Sequence, residues 1–399
     1  MVVGRPCRAA TVLLFLVLPS FAWGVAGTDE DDLFTVAGVK VDATADTAAA
    51  ARDVALAEGQ ERALAILFRR LTLRRDHARL PTPSRQRVAE LVRALEIAEE
   101  RTSAVRYLAE ITVRFKPAEV RLALRLAGLR FAETVRRPEL VLPVYLVAGT
   151  PLLWDEPNPW KAAWSAHPAG GGLVTLAVPI GDLSDMSDIS AEQAIAQDAT
   201  RLDAIARRYG AASTMVAIAS LAMDPGAGKP VLTVVARRHD RHAGGRTIFE
   251  RRFPAGGETI DHLLARAVEA VASHVEEEWK RDNVLRFDLR GRVQVSVPVS
   301  GIEEWIEVRR RLDRVPAIRR TVLRALDRNR AWLLLDYVGE LRQLRLALAQ
   351  HDLELTQDLG SSILRLRRAP PRESADAAGS TPLPPPGPPP QGPLVQPPQ

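Results

Sequence analysis

The chain has 399 residues, of which 46% are hydrophobic and 26% charged, the composition of a globular protein with roughly two to four domains. A chain of this size can bury real cores, so it does not belong to the small scaffolds that depend on metals or disulfides. The formal net charge is +5, but only five basic residues are lysines and the arginines are interspersed with acidic residues. We therefore expect no nucleic-acid-binding face.

The first 26 residues have the layout of a secretory signal peptide. Arg5 and Arg8 precede an apolar run that ends near Trp23, and small residues up to Ala26 follow, as a signal peptidase requires. The run is short for a membrane span. We expect residues 1–26 to be cleaved and the protein to be exported to the periplasm; an uncleaved anchor is the alternative.

Cys7 is the one cysteine of the sequence, and it precedes the apolar run. This position does not suit the acylated cysteine of a lipoprotein, and cleavage leaves a mature chain without thiols. Disulfides, thiolate metal sites and cysteine nucleophiles are then excluded. We expect no cofactor, no metal and no transmembrane segment in the mature chain.

Residues 33–136 are predicted to form a mixed α+β domain. Alternating apolar residues favour strands, and apolar residues three and four apart favour helices. The strands are expected at 33–41, 107–115 and 129–135. Three helices are expected. The first spans 45–71, the second is capped by Ser84 and continues to Leu95, and the third spans 117–127.

Residues 138–285 are predicted to form a three-layer α/β sandwich with an antiparallel edge. The first strand is almost wholly apolar, as a strand covered on both faces should be. Strands are expected at 140–147, 173–180, 213–222, 230–237 and 247–253, a short helix after the first strand, and longer helices at 191–209 and 258–280.

Residues 290–367 follow the order β-α-β-β-α-β, which predicts a ferredoxin-like domain. Its first helix is expected to face inward through Ile302, Trp305, Ile306 and Leu312. Residues 369–399 are rich in proline, favour extended conformations and are predicted to be a disordered tail.

One segment concentrates candidate binding residues at the end of the first middle-domain strand. In open α/β sheets, ligands tend to bind beyond the carboxyl ends of the strands. The segment is therefore a candidate recognition site for a macromolecular partner; the alternative is that its tryptophans plug the end of the sheet. The candidates are Trp154, Asp155, Glu156, Asn158, Trp160 and Trp164.

An enzyme or small-ligand-binding protein is the alternative function. Asp155 and Glu156 could do acid–base chemistry if burial raised one pKa, but adjacent side chains usually diverge. No catalytic residue is assigned, and a non-enzymatic role is favoured.

Two further groups could suggest metals. Asp182, Asp185 and Asp188 recur every third residue, which is not the spacing of a calcium loop, so a helix cap is favoured. His239 and His242 are predicted at the tip of a hairpin without a third ligand, so an exposed turn is favoured.

The segment Leu-Trp-Asp-Glu-Pro-Asn-Pro-Trp with Trp164, together with the stretch from Gly301 through Trp305 to Gly339, resembles an uncharacterised exported bacterial family known only as a domain of unknown function. The middle domain is also similar in element order to the amino-terminal domain of the periplasmic protein TolB and to curli-secretion CsgG-type domains. These resemblances imply envelope assembly or protein–protein roles.

The sequence therefore predicts a periplasmic interaction protein that presents residues 154–164 to an envelope protein or another periplasmic macromolecule. Interfaces of this kind favour tryptophan and arginine anchors. Its oligomeric state is left open.

Overall fold

The structure is a computed structural model that describes residues 33–168, 171–226, 228–241, 244–285, 289–358 and 361–367. This part of the chain is mixed α/β, with three β-sheets and interspersed helices. The predicted signal peptide at 1–26 and the predicted tail at 369–399 lie outside the described residues. Within those ranges, no helix is long and apolar enough to cross a membrane.

The first sheet is antiparallel in the order β1-β3-β2, formed by β1 (Thr35–Thr44), β2 (Val92–Thr102) and β3 (Arg106–Phe115). Helix α1 (Ala48–Leu71) packs on this sheet. The helix and the sheet lie very close at Gly59, where a Cβ atom would lie 2.5 Å from Val41 and 2.6 Å from Ile111.

Two predictions for this region are wrong. The helix capped by Ser84, α2 (Arg85–Leu91), ends at Leu91, and the chain continues as β2 rather than as helix to Leu95. Leu95 and Ile97 pair with β3 and pack on the core because they alternate as strand residues. Helix α3 (Pro117–Leu126) forms, but the strand predicted at 129–135 is reduced to one bridge between Thr72 and Phe131.

The middle sheet contains six strands. They are β4 (Arg136–Val147), β5 (Thr150–Leu152), β6 (Val174–Ala177), β7 (Ser213–Met223), β8 (Pro230–Asp240) and β9 (Gly244–Pro254). The order is β5-β4-β7-β8-β9, and β6 also pairs with β4. Strand β4 is parallel to β6 and β7, whereas β7, β8 and β9 are antiparallel neighbours.

Helices cover both faces of the middle sheet. One face carries α4 (Pro159–Ala166) and α8 (Ile260–Asn283); the other carries α5 (Leu183–Asp188), α6 (Ala191–Ile195) and α7 (Ala199–Arg208). Successive residues of β4 enter the two opposite cores, which explains its apolar run. The long helix predicted at 191–209 is broken, because Gln197 has φ +58° and Asp198 starts α7.

The first sheet and the middle sheet share one hydrophobic core, to which α1 and α8 both contribute. The Trp279 indole donates to the Thr134 carbonyl over 2.6 Å, and the Lys280 ammonium donates to the Arg69 carbonyl over 2.9 Å. These bonds join α8 to the connecting chain and to α1.

The third sheet has the order β11-β12-β10-β14-β13 and its own core. It contains β10 (Arg290–Pro298), β11 (Ile318–Leu326), β12 (Arg330–Val338), β13 (Leu353–Asp358) and β14 (Ser361–Leu366), with helices α9 (Ile302–Asp313) and α10 (Leu341–Gln350). Strand β14 is parallel to β10 and lies between it and β13.

The inward face of α9 differs from the prediction. Trp305 and Leu312 are buried as expected, but Ile302 and Ile306 are 63% and 59% exposed. Val308 takes the inward position instead. The buried stripe therefore follows positions 305, 308 and 312, which lie three and four residues apart.

Candidate functional site

The candidate segment begins directly after β5 and is tied to its surroundings by hydrogen bonds. The half-buried Trp154 donates its indole Nε1 hydrogen to the Ile189 carbonyl over 2.8 Å. Asn158 is 2% exposed and caps α4: its Oδ1 accepts from the Lys161 amide at 2.9 Å, and its Nδ2 donates to the Leu152 carbonyl at 3.3 Å. The loop is therefore held from both sides.

Trp160 and Trp164 are core residues. Their exposed fractions are 0% and 1%, and their rings meet edge to face with centroids 5.8 Å apart. Trp160 also donates its Nε1 hydrogen to the Ala217 carbonyl of β7 at 2.8 Å. With Asn158 also buried, these three predicted binding residues present almost no surface to a partner, because α4 packs them onto the sheet beside α8.

Asp155 and Glu156 are exposed, and they do not form an acid–base pair in a deep pocket. The Glu156 carboxylate accepts from the Asn158 amide at 3.2 Å and lies 3.2 Å from the Lys161 ammonium. The hydrogen bond from the Asn158 backbone amide lowers the pKa of Glu156 most, and the hydrogen bond from Lys161 lowers it further. A general acid needs the opposite shift, so the enzymatic alternative gains no support from Glu156.

The remaining candidates, Trp154 and Asp155, line an open groove of about 330 Å³, which we call the Trp154 groove. Pro151, Met186 and the Trp154 ring supply apolar surface. Asp155 and Glu192 supply carboxylates. The full lining is Pro151, Leu153, Trp154, Asp155, Met186, Ser190, Ala191 and Glu192.

Exposed apolar side chains continue from this groove. Ile180, Leu183 and Met186 are 69%, 81% and 46% exposed. Leu183 and Met186 lie three residues apart on α5, and Met186 itself lines the groove. Gly181 has φ +86°, and a Cβ atom there would lie 3.3 Å from the Trp154 ring, so this segment passes close to the indole. We call these three residues the apolar rim.

Helix α5 is anchored by Asp185, which is fully buried. Its carboxylate accepts from the Gly181 amide at 2.8 Å and from the Tyr209 hydroxyl at 2.9 Å, and it is bonded to the Arg208 guanidinium. Burial and the bond to Asp185 raise the pKa of Tyr209 to about 12. The rim is thus carried by a short helix held in place by tertiary contacts.

The three regularly spaced aspartates converge on one arginine. Arg208 contacts Asp182 at 3.9 Å, Asp188 at 3.0 Å and Asp185. Asp182 also caps α5 by accepting from the Asp185 amide at 2.8 Å. Across the residues that the structure describes, no group of three or more potential ligands is arranged for a metal ion.

His239 departs from the prediction of an exposed turn. Because β8 extends to Asp240, His239 lies within the strand, is 6% exposed, and places Nε2 3.3 Å from the Asp203 carboxylate. His242 lies outside the described residues.

Sequence reasoning missed a buried charge network at the middle sheet. Arg238 is 3% exposed and donates to Glu139 and to Glu278, each at 2.6 Å. Arg136 lies 3.4 Å from Glu139 and donates to the Ser213 hydroxyl at 3.0 Å. The charged residues that flank the apolar part of β4 were a signal for it, but their partners lie far along the chain.

Comparison with known proteins gives limited similarity. No family model matches, and no curated protein matches significantly. Two crystal forms of the PelC dodecamer from Paraburkholderia phytofirmans, one of a single-substitution variant, are 12% identical, cover 36% of this chain and 90% and 89% of theirs, and have TM-scores of 0.22 and 0.20. The Lipoprotein GNA1162 from Neisseria meningitidis is 17% identical and covers 35% of this chain and 97% of its own, with a TM-score of 0.21.

TM-scores this low assign neither a fold nor a function to the chain. The resemblance to an exported family of unknown function stays a prediction.

Proposed function

We propose that this chain is an exported, periplasmic interaction module that works in envelope assembly and binds a segment of an envelope protein in the Trp154 groove. The observation that carries the proposal is the apolar rim, since Ile180, Leu183 and Met186 are left exposed beside a groove with an indole wall. Contiguous exposed apolar surface of this kind is typical of interaction sites.

The chemistry of the groove indicates the kind of segment that it would bind. Trp154 and Met186 offer apolar contact, whereas Asp155 and Glu192 place carboxylates at the same groove. A segment with one or two apolar side chains flanked by lysine or arginine is complementary to both. Acidic segments are disfavoured by charge repulsion.

The groove is organised before any partner arrives. Trp154 is fixed by its bond to Ile189, and α5 is fixed by Asp185 and Arg208. A preorganised surface binds without first ordering its own side chains, which favours affinity.

A displayed peptide library tests this proposal. We expect the full chain to enrich peptides that combine apolar and basic residues, and a Leu183→Gln, Met186→Gln variant to lose them. The matched control is Met223→Gln, Leu326→Gln, because these residues are 61% and 48% exposed at the ends of β7 and β11, outside the groove lining. Enrichment of unrelated peptides, or equal binding by both variants, contradicts the proposal.

The same proposal includes cleavage of residues 1–26 and release into the periplasm. It is supported by the basic, apolar and small-residue order of that segment. Mass spectrometry of the protein from a periplasmic extract should give a mature chain that begins after the small residues; a full-length chain in the cytosolic fraction contradicts export.

We also propose finer assignments of architecture. Helices on both faces of the middle sheet support a three-layer sandwich. The order β-α-β-β-α-β of the third unit supports a ferredoxin-like domain, in which β14 is added between β10 and β13.

A further inference from the structure

A second groove, of about 650 Å³, lies between α3 and the third sheet. We call it the arginine groove, because five arginines from α3, β10 and β11 line it: Arg125, Arg290, Arg292, Arg319 and Arg320. Among the residues that the structure describes, Asp336 is the one acidic member of the lining, and it accepts from Arg292 at 2.7 Å. The described lining therefore carries an excess of positive charge.

The charges behind the groove do not cancel this excess. Glu133 is 2% exposed, and it is held by Arg121 through bonds of 2.8 and 2.7 Å. Burial lowers the pKa of Arg319; Glu133 opposes the shift, while Arg121, Arg125 and Arg290 add to it. The folded chain thus keeps like charges close together, and a bound anion would relieve their repulsion.

The floor of the groove is shaped by a glycine. Gly291 pairs with Tyr337 across β10 and β12, and a Cβ atom at Gly291 would lie 2.2 Å from the tyrosine ring. Only glycine lets the ring lie over the strand at this place. The Tyr337 ring, held against β10, therefore lines the groove together with the arginines.

We propose that the arginine groove binds the phosphate groups of an anionic ligand. Guanidinium groups present paired N–H donors whose geometry matches phosphate oxygens, and several guanidinium groups around one concave surface can bind one phosphate together. Five arginines at this groove supply those donors.

Two sources of phosphate share this chemistry, namely a soluble phosphate compound and the headgroup of an anionic phospholipid. On α3, Leu122 and Leu126 are 37% and 79% exposed. Leu122 lies one turn from both Arg125 and Leu126, so it lies between the arginine and the second leucine on the helix surface. A lipid would place its acyl chains near these leucines, whereas a soluble phosphate would not use them.

Two binding measurements on the full chain test the proposal at low ionic strength. The first is calorimetric titration with inorganic pyrophosphate. The second is co-sedimentation with phosphatidylcholine vesicles, with and without phosphatidylglycerol. We expect an Arg290→Ala, Arg320→Ala variant to bind about tenfold or more weakly, because each lost guanidinium removes charge-assisted hydrogen bonds.

The matched control is Arg309→Ala, Arg342→Ala, which removes the same charge from exposed positions on α9 and α10. We expect it to change binding by no more than about twofold, since exposed charges at a distance are screened. A Leu126→Gln variant separates the sources: it should weaken vesicle binding and leave pyrophosphate binding unchanged.

Binding of either probe that depends on Arg290 and Arg320 supports the proposal and identifies the source. Binding of neither probe overturns it, as does equal weakening by the control variant or vesicle binding that does not require phosphatidylglycerol. None of these variants alters a lining residue of the Trp154 groove, so the result is independent of the proposed function.

Discussion

The Trp160 indole lies wholly inside the protein and donates to the Ala217 carbonyl, which ties α4 to the central strand β7. Trp154, only six positions earlier, is partly exposed and donates to the Ile189 carbonyl instead. Two tryptophans of one short segment thus have different roles, one in the core and one at the surface.

This difference predicts different costs for truncation. Trp160→Ala should lower the free energy of unfolding by about 3–5 kcal/mol, as expected for removing a fully buried indole. Trp154→Ala should cost about 1–2 kcal/mol, because part of its ring already contacts water. Urea unfolding of the two variants measures both values, and equal losses would show that the surface role of Trp154 is wrong.

The tyrosine at the base of the apolar rim predicts a loss of stability at high pH. Burial and the bond to Asp185 raise the pKa of Tyr209 to about 12 from its ordinary 10.0. The folded state therefore holds this proton where the unfolded state has released it. Stability from this group is complete below about pH 10 and falls between about pH 10 and 12.

Urea unfolding from about pH 9 to 11.5 measures the contribution of Tyr209 to stability, because this range spans most of the interval between its two pKa values. The Tyr209→Phe variant is the control. Other tyrosines remain in both proteins, so the difference between the two pH profiles reports Tyr209. A difference that does not change with pH contradicts the prediction.

The close contact of α1 with the first sheet predicts that Gly59→Ala is destabilising. Alanine normally favours a helix by about 1 kcal/mol relative to glycine. Here its methyl group would meet Val41 and Ile111 at 2.5 and 2.6 Å, and overpacking of this kind costs about 1–3 kcal/mol.

We therefore expect a lower melting temperature for Gly59→Ala, measured by circular dichroism. Glu58→Ala, one position away on the same helix, should change it little. An increase in the melting temperature of Gly59→Ala would mean that the helix shifts easily away from the sheet.

The buried charge network at β4 predicts that its buried member Glu139 contributes more to stability than its exposed member Arg246. Glu139→Gln removes the fully buried carboxylate that holds Arg238, and loss of one partner from such a pair costs about 3–5 kcal/mol. Arg246→Ala removes the half-exposed partner of Glu278 and should cost about 1 kcal/mol or less. Chemical denaturation compares the two, and a similar cost for both would show that Arg238 relaxes into solvent.

Much of the fold follows from local patterns, and the failures occur where one pattern fits two structures. The strands β3, β7 and β8 form at the predicted positions, although β8 continues beyond residue 237 to Asp240. Between Leu91 and Ile97, the apolar spacing fits a helix or a strand, and only pairing with β3 selects the strand. Similarly, the pattern at 191–209 has no local sign of the break at Gln197.

The position of the candidate site in the chain was predictable from the sequence, but the contacts of its side chains were not. The sequence identifies Trp154 and Asp155 as neighbours at the end of a strand, but the burial of Trp160 depends on α8, which is a hundred residues away. The arginine groove was not predicted, because Arg125, Arg290 and Arg319 come from separate parts of the chain. Charges scattered in sequence can converge in space only through the tertiary fold.

The shared core of the first two sheets has a practical consequence for dividing the chain. A cut near residue 137 would divide this core and separate α1 from α8, so we expect neither half to fold stably alone. The third sheet has a separate core that includes Leu285, and a fragment covering residues 284–367 is the better choice for isolated study. Heating the whole chain should accordingly melt the first two sheets together, with the third free to follow its own transition.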